Sequence, residues 1–198
     1  MGNSLKHFLN LSDLRTKDIE NILEESHKIK KGKSKKFNKK KILAMIFEKP
    51  STRTRVSFEV GMKLLHGEVV ILDTNETQIG RGESLEDTMR VLSRYVDIVV
   101  YRGACENKLY NLAKLSTVPL INGLTDNSHP CQILADIMTL QEKFKSIEDL
   151  KICWIGDGNN VCNSWIHSCN HFNYEFSVSC PSGNFPSEKT IRKIKSKK

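Results

Sequence analysis

From residue 41 onward, short apolar runs rich in β-branched residues alternate with longer stretches whose apolar positions recur every three or four residues. The strand-like runs are Lys41–Phe47, Glu68–Leu72, Val96–Tyr101, Val118–Ile121, Lys151–Ile155 and Tyr174–Ser179. Helices are predicted between them. In Arg53–Leu65, Val56, Val60 and Leu64 form one row and Phe58, Met62 and Leu65 lie beside it, predicting a wide apolar face. Ser84 followed by Asp87 resembles a capping box, and Leu85, Met89 and Leu92 make the stripe of the helix it starts. His129–Phe144 repeats the pattern with Ile133, Ile137, Leu140 and Phe144. A parallel crossover needs a connection about the length of a helix, so the alternation predicts an α/β fold, a parallel sheet flanked by helices. Four strands fall before residue 125, and a long helix then leads to Lys151, where a new βαβ unit begins. The expected organisation is one domain over 1–148 and an incomplete Rossmann-like α/β domain over 149–198, because the 48 residues after 150 are too few for the usual several-stranded sheet.

Composition narrows the class. With 198 residues, 38% hydrophobic and 27% charged, the chain lies in the globular range, and no apolar run approaches the length of a membrane span. Lys6 interrupts the short apolar stretch at the N-terminus, which argues against a signal peptide and occupies a position where a myristoylation signal wants Ser or Thr. The net charge of +8 invites a nucleic-acid reading, but nine lysines lie between Lys28 and Lys41, and without them the balance is −1. Six more Lys and Arg crowd Lys189–Lys198. Both excesses read as solvated runs, and Phe37 alone interleaves the first, leaving little for bases to stack on. The six cysteines form no CxxC pair, so reduced thiols and a cytoplasmic location are expected. His167, Cys169 and His171 have the spacing of a partial metal set but lack a further paired ligand set, and are read as a helix surface.

Three segments carry candidate chemistry. Glu48-Lys49-Pro50-Ser51-Thr52-Arg53-Thr54-Arg55 joins a strand to a helix. Amides at a helix start lack helical acceptors and the macrodipole there favours negative charge, so hydroxyls and two arginines at this point suit an anion; an ordinary N-cap with solvated arginines is the alternative. No GxxxxGK[ST] sequence is present, so this is not a P-loop. His129-Pro130-Cys131-Gln132 opens the long helix. In an α/β protein it should share the carboxyl edge of the sheet with the first segment, where His129 could donate to a carbonyl oxygen and Gln132 read an amide, although His129 could be only a cap. Arg102 follows the strand ending at Tyr101 and would complete an anion site. Gly156-Asp157-Gly158-Asn159-Asn160 suggests a dinucleotide turn, but Val161 stands where the third Gly belongs and the next strand ends in Ser179-Cys180-Pro181 without an acid for a ribose. A glycine turn presenting Asn side chains to a small ligand, or a plain strand-to-helix turn, fits better.

Together with Gln78-Ile79-Gly80-Arg81-Gly82-Glu83-Ser84 and Tyr101-Arg102-Gly103, these segments stand in the order and spacing of the carbamoyltransferases. The chain resembles the ornithine carbamoyltransferases; aspartate carbamoyltransferases share the first motif but usually carry Thr at the position of Cys131 and lack the GDGNN turn. The resemblance, from about residue 5 to about 185, implies a carbamoyl phosphate domain followed by an ornithine domain, in a homotrimer with sites between subunits and no metal or cofactor. It implies that Ser51, Thr52, Arg53 and Thr54 hold phosphate and that Arg102 bridges phosphate and carbonyl oxygen. His129 and Gln132 would bind the carbamoyl group, Gln78 would reach in from a neighbouring subunit, and Asn160 would contact ornithine. Thr54, Arg102 and His129 would stabilise the oxyanion formed as the δ-amine attacks, giving citrulline and phosphate. Relatives of this kind continue into further ornithine-binding motifs, a late Arg and a C-terminal helix that packs on the first domain; the sequence ends at Lys198 ahead of these, so impaired transfer and exposed apolar surface are expected. The competing expectation is a remnant or module that binds carbamoyl phosphate, or phosphate, without transfer. A nucleic-acid-binding protein is a distant third.

Overall fold

The computed structural model describes residues 6–33, 37–73, 77–78 and 82–192. By their contacts these fall into two compact units, divided at 9/10, 33/34 and 125/126. The division follows packing and so cuts the chain elsewhere than the 148/149 boundary, which separates segments by expected ligand.

The first unit is a four-stranded parallel sheet of β1 (Ile42–Phe47), β2 (Glu68–Asp73), β3 (Ile98–Arg102) and β4 (Leu120–Leu124), in the order β2-β1-β3-β4. One face packs Ala44, Ile46, Val99 and Tyr101 under Leu85 and Met89 of one helix and Leu109 and Leu112 of another. The other carries Leu43, Met45 and Val100 under Met62, with Phe58 beside them. Strands covered on both sides read as unbroken apolar runs, which is why KILAMIF showed no alternation. β4 begins two residues later than expected and runs further: Pro119 has no N–H for the ladder, and the chain continues through buried Asn122 and Gly123. A Cβ on Gly123 would lie 3.0 Å from Val100 Cγ1 and 3.2 Å from the Tyr101 carbonyl, so the strand narrows there to admit its neighbour. Phe8 adds a parallel bridge to Ile121, and the Asn122 side chain donates to the Leu9 carbonyl at 2.9 Å.

Numbering helices along the chain, α1 (Thr16–Lys30) belongs to the second unit, and α2 (Thr52–Leu64), α3 (Leu85–Leu92) and α4 (Glu106–Leu115) to the first. The Ser84 box forms as expected, Ser84 Oγ accepting the Asp87 N–H at 3.1 Å and donating to the Asp87 carboxylate at 2.7 Å. α2 departs from expectation. The Phe58–Met62 row takes the sheet, whereas Val56, Val60 and Leu64 remain 52%, 47% and 68% exposed, because a helix lying on one flat sheet can bury only about a 100° stripe.

The second unit contains a 3-10 turn at Leu11–Asp13, α1, α5 (Pro130–Lys143), β5 (Lys151–Ile155), α6 (Asn160–Ser168), β6 (Glu175–Ser179) and α7 (Glu188–Ile191). β5 and β6 pair in parallel, Trp154 opposite Val178. Every residue of α6 from Cys162 to Ser168 is buried, and Trp165 stacks on Phe176 and meets Tyr174 edge-on, both at 5.8 Å between centroids. No described helix is long and apolar enough to cross a membrane. Of the lysines between 28 and 41, Lys28, Lys30, Lys40 and Lys41 pair with Glu24, Glu142, Glu68 and Asp97 at 2.6–2.8 Å, so much of this basic run is neutralised locally; Lys35 and Lys36 lie outside the described residues.

Candidate functional site

The carboxyl ends of parallel strands meet at one edge, and the register places Arg102, the last residue of β3, beside Phe47, the last of β1. The Glu48 N–H donates to the Arg102 carbonyl at 2.9 Å, and the chain turns at Pro50 into α2. Ser51 is the N-cap: its Oγ accepts the Thr54 N–H at 3.3 Å. This first turn contains no acidic residue, so no carboxylate within it offsets the positive end of the helix, to which Arg53 and Arg55 add their charges. Arg102 reaches across, its Nη1 donating to Thr54 Oγ1 at 3.2 Å while its buried Nε has no hydrogen-bond partner among the described residues. Burial, and then the like charge of Arg53, lower the Arg102 pKa from its ordinary value. The Arg102 guanidinium, the Ser51 and Thr54 hydroxyls and the helix-start amides thus meet at a point that an anion with several oxygens would stabilise, with Arg53 near enough to act on the charge of Arg102.

Ser51, Thr54 and Arg102 are therefore brought together as expected, with Thr52 and Arg53 exposed on the first turn of α2. A cavity of about 430 Å³ opens on the β2 side of the same turn, lined by Glu48, Pro50, Ser51, Thr52, Arg55 and Asp73 among others. Thr54 and Arg102 do not line it, so it adjoins the guanidinium pair and is not the same space. Gln78 is exposed in the loop after β2, where its carbonyl accepts the Glu83 N–H at 3.0 Å. Ile79, Gly80 and Arg81 of its motif lie outside the described residues.

His129, Gln132 and Asn160 belong to the second unit. His129 occupies the N-cap position of α5 without a side-chain cap bond, and Pro130 supplies the first helical residue, whose missing N–H costs nothing there. Capping is thus not what the imidazole does. Ser164 ties the starts of two helices together: its Oγ accepts the His129 N–H at 2.8 Å and donates to the Asn160 carbonyl at 2.9 Å. In the glycine turn Gly156 has a φ of 140°, and Asn159 is the N-cap of α6, accepting from Val161 and Cys162. Asn159 thus serves the plain strand-to-helix turn as a cap, and Asn160 is the first residue of the helix. Gly158 packs so closely on Phe185 and Pro186 that a side chain there would strike backbone.

Gln132 Nε2 donates to Asp136 one helical turn on, at 2.8 Å, which leaves Gln132 Oε1 as the acceptor for another group. Burial raises the Asp136 pKa and the bond from Gln132 partly opposes it. A carboxyl group whose folded pKa lies above its unfolded value destabilises the fold when ionised, and that penalty is relieved as pH falls through the folded pKa. Asp136→Asn keeps an acceptor for Gln132 and removes the charge. It is expected to be at least as stable as the parent at pH 7 and to lose this residue's share of the stability gained on acidification; thermal unfolding between pH 7 and the ordinary carboxylate range checks this, and a variant less stable at neutral pH would contradict it.

Asp136, Asn163 and Ser164 were not singled out from sequence. Asp136 had a signal in its spacing of four from Gln132, whereas Ser164 and Asn163 act through backbone partners that no motif reveals. The His167–His171 pair corrects another expectation. His167 is buried, with Nδ1 donating to Asn10 Oδ1 at 2.9 Å, and half-buried His171, just past α6, contacts Thr16 Oγ1 and the Leu11 carbonyl, so the two rings bind residues 10–16 and do not form a helix surface. Burial pushes the Cys131 thiol up to about 12, which keeps it protonated and unreactive beside His129.

Residues 6–142 match the profile of the aspartate/ornithine carbamoyltransferase carbamoyl-P binding domain, and residues 148–198 that of the Asp/Orn binding domain of the same family. The chain is 47% identical over 190 residues to an ornithine carbamoyltransferase of Agrobacterium fabrum, covering 94% of this chain and 62% of that protein. It is 48% identical over 178 residues to one from Picrophilus torridus, with 90% and 59% covered. The solved ornithine carbamoyltransferase of Pyrococcus furiosus superposes with a TM-score of 0.89 at 44% identity, over 96% of this chain and 62% of that one. The chain therefore spans about 62% of the length of relatives it matches nearly throughout.

Proposed function

Because the chain belongs to the aspartate/ornithine carbamoyltransferase family, we propose that it carries the carbamoyl phosphate half of an ornithine carbamoyltransferase site. The observation that supports this most is the convergence of Arg102 and Thr54 at the Ser51-capped start of α2, a cradle for a phosphate group. In this reading Ser51, Thr52, Arg53 and Thr54 hold the phosphate through hydroxyls, amides and charge. Arg102 spans phosphate and carbonyl oxygen. His129 donates to that oxygen, and the Gln132 acceptor left by Asp136 takes the carbamoyl NH2. Gln78 comes from a neighbouring subunit, and Asn160 meets ornithine.

The reaction moves one carbamoyl group. The neutral δ-amine of ornithine attacks the carbonyl carbon, the C–N bond forms as the carbonyl oxygen takes negative charge, and donors from Thr54, Arg102 and His129 stabilise that charge. The C–O bond to phosphate then breaks, phosphate leaves with the electron pair into a site already built for its charge, and the nitrogen loses a proton. These side chains supply all that step asks, without a cofactor. By ligand, residues 1–148 would serve carbamoyl phosphate and 149–198 ornithine, in a cytoplasmic enzyme of arginine metabolism. The exposed Val56–Val60–Leu64 row offers an apolar face suited to a homotrimer contact.

A second reading, a module that binds carbamoyl phosphate or phosphate without transfer, is favoured by the placement of the assigned residues: only Asn160 is assigned to ornithine. Holding both reactants at attack distance can supply about 7–11 kcal/mol of barrier lowering, which binding carbamoyl phosphate alone does not give. The purified chain is expected to bind carbamoyl phosphate and to form citrulline near background with L-ornithine. Sustained citrulline formation that is abolished in His129→Ala would instead make this chain an enzyme in its own right.

A further inference from the structure

A carboxylate stands where an anion site can least use one. Glu48 lies three residues before the Ser51 cap, at the end of β1 and next to Arg102 across the ladder. Alternation along the strands turns its side chain to the face opposite that of Arg102. There it is held by two groups from different elements: Tyr101 Oη donates to Glu48 Oε2 at 2.5 Å, and Lys108 Nζ of α4 pairs with Oε1. Tyr101 is fully buried, and its phenol is kept protonated first by burial and then by this bond, so it remains a donor across the working pH range. Gly103 completes the arrangement, because a Cβ at that position would collide with both the Tyr101 hydroxyl and the Glu48 carboxylate.

We infer that Lys108 and Tyr101 are positioning residues for anion binding: they hold Glu48 on the α4 face and compensate its charge, so that it neither repels the incoming phosphate nor pairs with Arg53 or Arg102 in its place. The inference rests on the phosphate reading of the α2 cradle. Lys108 touches no part of that cradle, and its influence passes through Glu48 alone. Without Lys108, Glu48 keeps one hydroxyl bond and an uncompensated charge at the foot of a site whose attraction for anions depends on net positive potential. Coulombic influence at this range survives because the carboxylate is only partly exposed.

The test is titration calorimetry of inorganic phosphate into the full chain at low ionic strength, with thermal unfolding of each variant alongside. Lys108→Met is expected to weaken phosphate binding about tenfold with the fold retained, and Tyr101→Phe to weaken it less. Adding Glu48→Gln to Lys108→Met removes the exposed charge and is expected to restore affinity to within about twofold of the parent. That rescue is what a merely structural role would not give, since the double variant has lost more native contacts than the single one. Wild-type binding with Lys108→Met unaffected, or a Lys108→Met defect that Glu48→Gln leaves in place, would overturn the clamp and leave the phosphate site standing. Failure of the wild-type chain to bind phosphate or carbamoyl phosphate would overturn the phosphate reading and the clamp with it.

Discussion

Arg102→Met is expected to lower affinity for phosphate and carbamoyl phosphate by about 2–5 kcal/mol, roughly thirtyfold or more, without lowering the melting temperature of the ligand-free protein. The two halves of this expectation come from one geometry. Among the described residues Arg102 has a buried Nε without a partner, a single side-chain bond to Thr54, and a pKa lowered by burial and by Arg53, so in the free protein it contributes little and is opposed by its neighbour. An anion reverses the balance, supplying acceptors to the idle N–H groups and a counter-charge to both guanidiniums. Met keeps the aliphatic bulk of the stem against the sheet. A ligand-free protein that melts well below the parent, or one that still binds phosphate normally, would show that Arg102 is a structural residue.

Trp165→Ala is expected to be among the most destabilising single changes in the second unit, costing about 3–5 kcal/mol. Trp165 is 8% exposed in the middle of the buried Cys162–Ser168 run of α6 and contacts both Tyr174 and Phe176, so truncation opens a cavity in the aromatic cluster that joins α6 to β6. The strand beside it offers less cover, since alternate residues of β5 face solvent and Ile155 is 81% exposed. Trp165→Phe should recover most of the loss. Chemical denaturation followed by far-ultraviolet circular dichroism measures it, and a cost under 1 kcal/mol for the Ala variant would place the unit's stability elsewhere.

β1 was legible because a strand covered on both faces is a continuous apolar run; β5, which is exposed at alternate residues, was placed to within one residue by its apolar Ile152-Cys153-Trp154-Ile155 run ahead of a glycine turn. Helix α3 was legible from its cap and stripe together. α1 was not singled out, because only Ile19 and Leu23 of its 15 residues are buried and its remaining positions are mostly charged, which leaves a faint period. The wrong row of α2 was included in the core because periodicity gives a helix's apolar width but not which part of it a neighbour will cover. Of the candidate site, the proximity of the Ser51–Thr54 turn to Arg102 was legible because both stand at the ends of parallel strands that meet at one edge of the sheet. Ser164 and the Glu48–Tyr101–Lys108 contacts were not, since each depends on which groups the fold brings within 3 Å from residues far apart in sequence. His167 and His171 misled for the same reason: without a further paired ligand set they were read as a helix surface, and only the packing of residues 10–16 shows what the rings bind.

Titration calorimetry of carbamoyl phosphate into the purified 198-residue chain, repeated with Arg53→Ala, bears most directly on the claim that the start of α2 is a carbamoyl phosphate cradle. Saturable binding that inorganic phosphate competes away, weakened by a few kcal/mol in the variant, is the predicted result. No binding by the wild-type chain, or an affinity that Arg53→Ala leaves unchanged, would contradict it.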